Sequence, residues 1–208
     1  MIREVVLATR NRHKITELIA ILGDVGMTIH TLDEFPDAPE VVEDAETCEA
    51  NAVKKARTIA DYTGLPAVAD DTGLEVEALG GRPGVYAARY AGEGATYEDN
   101  CRKLLQELRG VPRERRTARF STVAAIALPS DGIQVVQGML DGLIAEEASG
   151  TSGFGYDPVF LVPELGMTLA QLPPDHKNRI SHRAKAFIGM REIVKNHGQG
   201  ILRMGNRV

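Results

Sequence analysis

The sequence predicts an α/β protein built on a mixed β-sheet flanked by helices, and three observations carry that expectation. Through the first half, apolar strand-like runs alternate with helical periodicity, as they do where strands are joined by crossover helices. The second half instead holds two long strand-like runs, residues 117–128 and 133–144, joined by Pro129-Ser130-Asp131-Gly132, a hairpin signal that makes part of the sheet antiparallel. No repeat, low-complexity tract or long linker interrupts the 208 residues, a length that suits one large domain or two closely fused lobes.

Taken in order, residues 2–8 read as a buried strand. Residues 14–22 read as a helix whose Ile15, Leu18, Ile19 and Leu22 share a face at offsets of three, four and seven. A short strand at 27–31 and an acidic, proline-bearing loop at 35–44 follow. Residues 47–62 are alanine-rich and helical, stopped by Gly64 and Pro66. A strand at 65–70 ends in Asp70-Asp71-Thr72-Gly73, whose composition is that of a turn. A further strand at 74–79 precedes the turn Gly80-Gly81-Arg82-Pro83-Gly84. Residues 97–109 form a helix with Cys101, Leu104, Leu105 and Leu108 as its apolar stripe. After the hairpin come a glycine-rich loop at 150–158 and a last helix at 183–194.

Composition narrows the function. With 43% apolar and 25% charged residues the chain can build an ordinary globular core. A formal net charge of −5 argues against sequence-blind binding of nucleic acid, which draws its affinity from Lys and Arg on phosphates. Small phosphorylated ligands stay open, since a few cations and backbone N–H groups hold those. Cys48 and Cys101 lie in no CxxC pair, so neither a disulfide framework nor a zinc site is expected, and two free thiols suit a cytoplasmic protein. Residues 1–8 are too short an apolar run for a signal peptide, and no stretch is long enough to span a bilayer, so no membrane partner is expected.

Four groups of residues are candidates for chemistry. Thr9-Arg10-Asn11-Arg12-His13-Lys14 joins strand one to helix one, where free N–H groups and positive side chains make an anion site. It lacks the glycines of a P-loop or a dinucleotide loop, and it equally describes a helix capped by Asn11 with solvated basic residues. Glu43-Asp44-Ala45-Glu46 and Asp70-Asp71 supply the carboxylates a magnesium site needs, although the first also suits a helix start and the second a plain turn. Ser152-Gly153-Phe154-Gly155-Tyr156-Asp157-Pro158 sets glycines around an aromatic ring, giving either a ligand-stacking loop or a tight turn with both rings in the core. Lys177 and Ser181-His182-Arg183 lie at the start of the last helix, as donors to carbonyl or phosphate oxygens or as a serine cap with two exposed cations.

Together and in this order the groups resemble one family. Thr9-x-Asn11-x-x-Lys14, the Glu43 segment, Asn51-Ala52-x-x-Lys55-Ala56, Ala69-Asp70-Asp71-Thr72-Gly73-Leu74, Gly80-Gly81-x-Pro83-Gly84, Phe154-Gly155-Tyr156-Asp157-Pro158 and Ser181-His182-Arg183 stand as in the inosine/xanthosine triphosphate pyrophosphatases, the Ham1-like family. The resemblance runs from Val5 to about Val194. It implies a single two-lobed domain over residues 1–208: an elongated mixed sheet, two α/β lobes and a central active-site cleft, in a homodimer. It further implies Mg²⁺ held by Glu43 and Asp71, Asp71 as proton acceptor, and a triphosphate cradled by Thr9, Arg10, Asn11, Arg12, His13, Lys14 and Lys55. Thr72 would touch the substrate, and Phe154, Gly155, Tyr156, Asp157, Lys177, His182 and Arg183 would enclose the base.

Two departures from the family pattern stand out. Where the family reads Thr-Phe-x-Glu-Asn-Ala, this chain has Thr47-Cys48-Glu49-Ala50-Asn51-Ala52. A helix turns about 100° per residue, so Glu49 does not replace the missing acid. Ser152 stands where glycine is commoner, a small change unless that position needs positive φ. The expected reaction is attack of water on the α-phosphorus of ITP, dITP or XTP with loss of pyrophosphate. Donors from His182 or Arg183 aimed at O6 of the base would set selectivity. Two other functions fit the same residues: a nucleotide sensor without turnover, which Ala50 favours and Asp70-Asp71 opposes, and a Maf-like pyrophosphatase for other modified nucleotides.

Overall fold

A computed structural model describes residues 2–23, 26–129 and 132–196; Ser130 and Asp131, the middle of the expected hairpin connection, lie outside the described residues. The chain runs β1 (Glu4–Leu7), α1 (Arg12–Leu22), β2 (Thr28–Thr31), α2 (Cys48–Thr63), β3 (Ala67–Val76), β4 (Pro83–Gly84), α3 (Tyr97–Glu107), β5 (Thr117–Ala127), β6 (Ile133–Ile144), β7 (Phe160–Val162), β8 (Met167–Thr168), α4 (Pro174–Ile180) and α5 (His182–Asn196). Among the described residues the strands form one eight-stranded sheet in the order β2-β1-β3-β5-β6-β7-β8, with β4 beside β3. β1 is parallel to β2 and β3, whereas β4, β7 and β8 pair antiparallel to their neighbours, so the sheet is mixed as expected. No helix of the described residues is long and apolar enough to cross a membrane.

The fold divides into two compact units. The first takes its described residues from 2–71, 123–137 and 184–196, the second from 72–122 and 138–183. In the first, strand alternation separates two cores. Val5, Leu7, Ala124 and Ile126 point to one face and pack with α1 and α5 through Leu18, Phe187 and Met190. Val6, Ala8, Val123 and Ala125 point to the other and pack with Ala52, Ala56 and Ile59 of α2. The alanines on α2 let its backbone lie close to the sheet. Each fully buried Leu, Ile or Phe here stabilises the unit by about 1.5–3 kcal/mol relative to exposure. The second unit has one core, in which Leu104 and Leu108 at the end of α3 meet Leu74, Phe120, Tyr156 and Phe160.

Three expectations about local structure are corrected. Asp70-Asp71-Thr72-Gly73 is no turn: it lies in the middle of β3, a ten-residue strand that also absorbs the start of the separate strand expected at 74–79. β3 pairs with β1 just before this segment, at Ala67 and Val68, and with β4 just after it, at Leu74 and Glu75, and being held within a paired strand outweighs the turn preference of its residues. On α1, Ile21 is buried in place of Ile19, which is 44% exposed, because the helix presents a stripe shifted toward residues 15, 18, 21 and 22. His182 and Arg183 are not the exposed cations of a simple serine cap: both are buried, and Ser181 before them is the buried, extended residue between α5 and α4, a short proline-initiated helix that the sequence pattern does not reveal.

Candidate active site

In the first unit, the parallel pairing of β1 and β3 decides what comes together. β1 leaves the sheet after Leu7, which pairs with Val68, while β3 runs on to Asp70 and Asp71. The loop that follows β1 and the first turn of α1 therefore lie beside those two carboxylates, beyond the C-terminal end of β1, the end of a parallel strand at which open α/β sheets place their ligands. Asn11 caps α1, its Oδ1 accepting from the N–H groups of His13 and Lys14, and Thr9 Oγ1 accepts from the Asn11 N–H. Lys14 then reaches Asp70 with its Nζ 3.1 Å from Oδ1. Lys55, buried on α2, donates to the Asp70 carbonyl at 2.6 Å and lies 3.1 Å from Glu43 Oε2.

Asp71 is itself buried, and burial raises its carboxyl to about 6; Glu43 pushes the same way, and Lys55, Asn51 and Lys14 pull against it. Three carboxylates thus face two lysines in one small region. A cavity of about 240 Å³ adjoins them, lined in part by Thr9, Asn11, Glu43 and Lys55. Arg10, Arg12 and His13 are exposed. The Arg10 guanidinium donates to the carbonyls of Leu32 and Ala38, and Arg12 pairs with Asp33 at 2.8 Å.

The second unit gathers the remaining candidates around Phe154. Lys177 and Asp157, 3% and 2% exposed, form a buried ion pair, and Asp157 Oδ2 also accepts from the Phe154 N–H at 2.8 Å. This carboxylate forces glycine at 153. A Cβ there would stand 2.1 Å from Asp157 Oδ2, and the residue holds φ +75°. Ser152 has no positive φ, so the serine is unstrained. The cations of Lys177 and Arg183 each lie 5.1 Å from the Phe154 ring centre. Arg183 also donates to Thr72 Oγ1 at 3.2 Å. His182 is buried and stacked on Phe120 with ring centres 4.2 Å apart. Gly155 accepts from the Cys101 thiol through its carbonyl. Tyr156 turns inward to the core and donates its hydroxyl to the Ala87 carbonyl at 2.8 Å.

Several residues to which sequence reasoning gave no role touch the candidates directly. Asn51 Nδ2 donates to Asp71 Oδ2 at 3.0 Å. The Cys48 thiol also bonds Asp71, and burial followed by that carboxylate pushes it up to about 12, which keeps it a thiol. The fully buried Thr122 shares a 2.6 Å hydrogen bond with Thr72, and Tyr97 packs on Phe154 at 5.7 Å. Asn51 lies in the sequence motif Asn51-Ala52-x-x-Lys55-Ala56, which is a signal for it; Phe120 and Thr122 sit in an ordinary alternating strand and carry no local signal. Ala50 is exposed, and Glu49 is exposed as well.

The donor set suits a hard cation. Glu43 and Asp71 offer carboxylate oxygens, and among the described residues no three His, Cys, Asp or Glu side chains form a ready-made cage. Carboxylate oxygens of this kind fit an ion that keeps water and completes its shell with phosphate oxygens.

Comparison with known proteins agrees with this architecture. The model of the Ham1 family matches residues 5–193. The dITP/XTP pyrophosphatase of Geobacter sulfurreducens is 50% identical over 192 residues, covering 92% of this chain and 94% of that protein. The dITP/XTP pyrophosphatase of Geobacillus kaustophilus is 50% identical over 201 residues, covering 95% and 98%. Among solved structures, a HAM1 protein from Coxiella burnetii superposes with a TM-score of 0.85 at 38% identity, covering 94% of this chain and all (100%) of that one. The Ham1 protein of Staphylococcus aureus gives 0.83 at 38% identity, with coverage of 94% and 100%. The chain belongs to the Ham1 family.

Proposed function

We propose that this member of the Ham1 family is a magnesium-dependent pyrophosphatase that cuts deaminated purine nucleoside triphosphates (ITP, dITP, XTP and dXTP) to the monophosphate and pyrophosphate, removing them from the nucleotide pool. The observation that carries the reading is the meeting of Glu43, Asp70 and Asp71 with Lys14 and Lys55 at the end of β1 and along β3. A triphosphate needs cations on its oxygens and a base for the attacking water, and this cluster holds both.

In this reading Glu43 and Asp71 hold Mg²⁺, which offsets the charge on the phosphate oxygens and so favours attack at the α-phosphorus. Lys14, Lys55 and the loop from Thr9 to His13 bind the triphosphate tail. Asp71 orients the water and takes its proton; a carboxyl raised by burial is a better proton acceptor than a solvated one. The base is enclosed by Phe154, Gly155, Asp157, Lys177, His182 and Arg183, with Thr72 on the substrate, while Tyr156 serves from the core side by anchoring this loop. Donors on His182 or Arg183 meet the O6 carbonyl of hypoxanthine or xanthine, and the amino group of adenine leaves them unpaired. The enzyme works on free nucleotides in the cytoplasm, which its two free thiols suit, and as a homodimer, a reading that rests on family likeness.

A panel of ITP, dITP, XTP, GTP and ATP with Mg²⁺, scored for pyrophosphate and orthophosphate, tests the assignment. Pyrophosphate from the deaminated purines, with ATP slower by orders of magnitude, is the expected result. Orthophosphate as the product, or equal rates on ITP and ATP, would end it. Sedimentation at micromolar concentration tests the dimer separately.

A further inference from the structure

The carboxamide of Asn51 does two things at once. It lies on the first turn of α2, 1% exposed. Its Nδ2 donates to Asp71 Oδ2 at 3.0 Å, and its Oδ1 accepts the N–H of Ala45 at 3.0 Å. Ala45 is two residues from Glu43, in the irregular stretch 35–47 that leads into α2. Lys54 and Lys55 also hold this segment. Lys54 donates to the Val42 carbonyl and to Asp44 near the surface, and Lys55 pairs with Glu43. Neither lysine side chain supplies an acceptor. An amide carries donor and acceptor on one rigid plane, so Asn51 ties a strand carboxylate to a loop N–H with a single buried group.

Resting on the reading above, we propose that Asn51 is a positioning residue that locks the proton acceptor Asp71 and the loop of Glu43 into one unit. The amide donor fixes the rotation of the Asp71 carboxylate about its Cβ–Cγ bond. The amide acceptor sets the height of the Glu43 loop against β3. Both hydrogen bonds are neutral-donor bonds in a buried place, where losing one partner leaves the other group unsatisfied. Asparagine is required for geometry: aspartate keeps the acceptor for Ala45 and replaces the donor by a carboxylate oxygen against Asp71, and alanine removes both.

The two substitutions therefore separate the two arms. Asn51→Asp and Asn51→Ala are compared with wild type for kcat and KM on dITP, for Mn²⁺ affinity by electron paramagnetic resonance without nucleotide, and for folded fraction by thermal melting. All rates are expressed per folded chain. Displacement of a reacting group by about 1 Å costs on the order of 100-fold in rate. Asn51→Asp is expected to lose about 100-fold in kcat with KM within about threefold and Mn²⁺ binding at least as tight as wild type. Asn51→Ala is expected to lose kcat similarly and to weaken Mn²⁺ binding about tenfold, because the Glu43 loop is released as well. Should Asn51→Ala fold poorly, Asn51→Asp alone decides on kcat. A wild-type kcat per folded chain in Asn51→Asp, or unchanged Mn²⁺ affinity in a folded Asn51→Ala, overturns the role. If wild type itself releases no pyrophosphate from dITP, the functional reading fails, while the Mn²⁺ arm still reports on the tether.

Discussion

The carboxylate cluster of the first unit and the ring cluster of the second are built on opposite electrostatic plans. Around Asp71, acids outnumber lysines, the groups are partly desolvated, and ion pairs of 3.1 Å span from α1 to β3 and from α2 to the Glu43 loop. Around Phe154, one buried acid, Asp157, is set against Lys177 and Arg183, and two aromatic rings supply flat faces to the cations and to His182. The first plan fits the proposed cation and phosphate at the same time. The second sets donor groups beside aromatic surface, which fits the proposed flat, carbonyl-bearing base. Charge governs one region and packing governs the other, so they should respond to different perturbations.

The largest expected effect is at Asp71. Asp71→Asn removes the proposed base and should lower kcat by about 10²–10⁴-fold in a pyrophosphate-release assay. The same change should stabilise the metal-free protein at pH 7. Burial raises this carboxyl to about 6 in the folded state. Its contribution is therefore favourable below the unfolded value of about 3.9 and is lost as pH rises through about 6. Above that pH the ionised group costs on the order of 1–3 kcal/mol, which the asparagine removes. Urea denaturation without Mg²⁺ should show the variant more stable at pH 7 and level with wild type at pH 4. Equal stability at both would mean that the cluster is not charge-governed, and the comparison would break.

A smaller effect is expected on the packing side. Phe154→Ala removes the ring that Lys177, Arg183 and Tyr97 all contact. Stacking of a base on an aromatic side chain contributes about 1–3 kcal/mol, so KM for dITP should rise about 10- to 100-fold. The Mg²⁺ concentration giving half-maximal rate should stay where it was. A changed metal requirement would show that the two regions are not separable. The smallest effect falls at Thr122→Val, which breaks the hydroxyl pair with Thr72 and leaves Arg183 its bond to Thr72. A net hydrogen bond of about 1 kcal/mol corresponds to roughly a fivefold loss in the ratio of kcat/KM for ITP over ATP. A ratio unchanged within twofold would limit the base-reading role of this network.

The two regions also differ in how far the sequence reveals them. Asn11 as a helix cap, the Lys14 position and the stop of α2 at Gly64, with φ +70°, follow from rules that act within one turn of chain. The glycine at 153 was visible as a motif, but its reason, the Asp157 oxygen in the space a Cβ would fill, was not. Asp70 and Asp71 are legible as chemistry but not as conformation, because strand pairing before and after them holds a turn-like tetrapeptide extended. Tyr156 was one of two rings in a loop, and only the core around Ala87 and Phe160 shows that it points inward.

The sequence by itself determined the kinds of elements, most of their order, the local caps and the inventory of ionisable and aromatic groups. Those follow from backbone preference and apolar periodicity, which act over a few residues. The tertiary structure decided which of those groups meet. Lys14 finds Asp70 across 56 positions of chain, Asn51 finds Asp71 across 20, and Arg183 finds Thr72 across 111. Such contacts are set by sheet order and register, because a strand places a side chain only after its neighbours have fixed its face and its height.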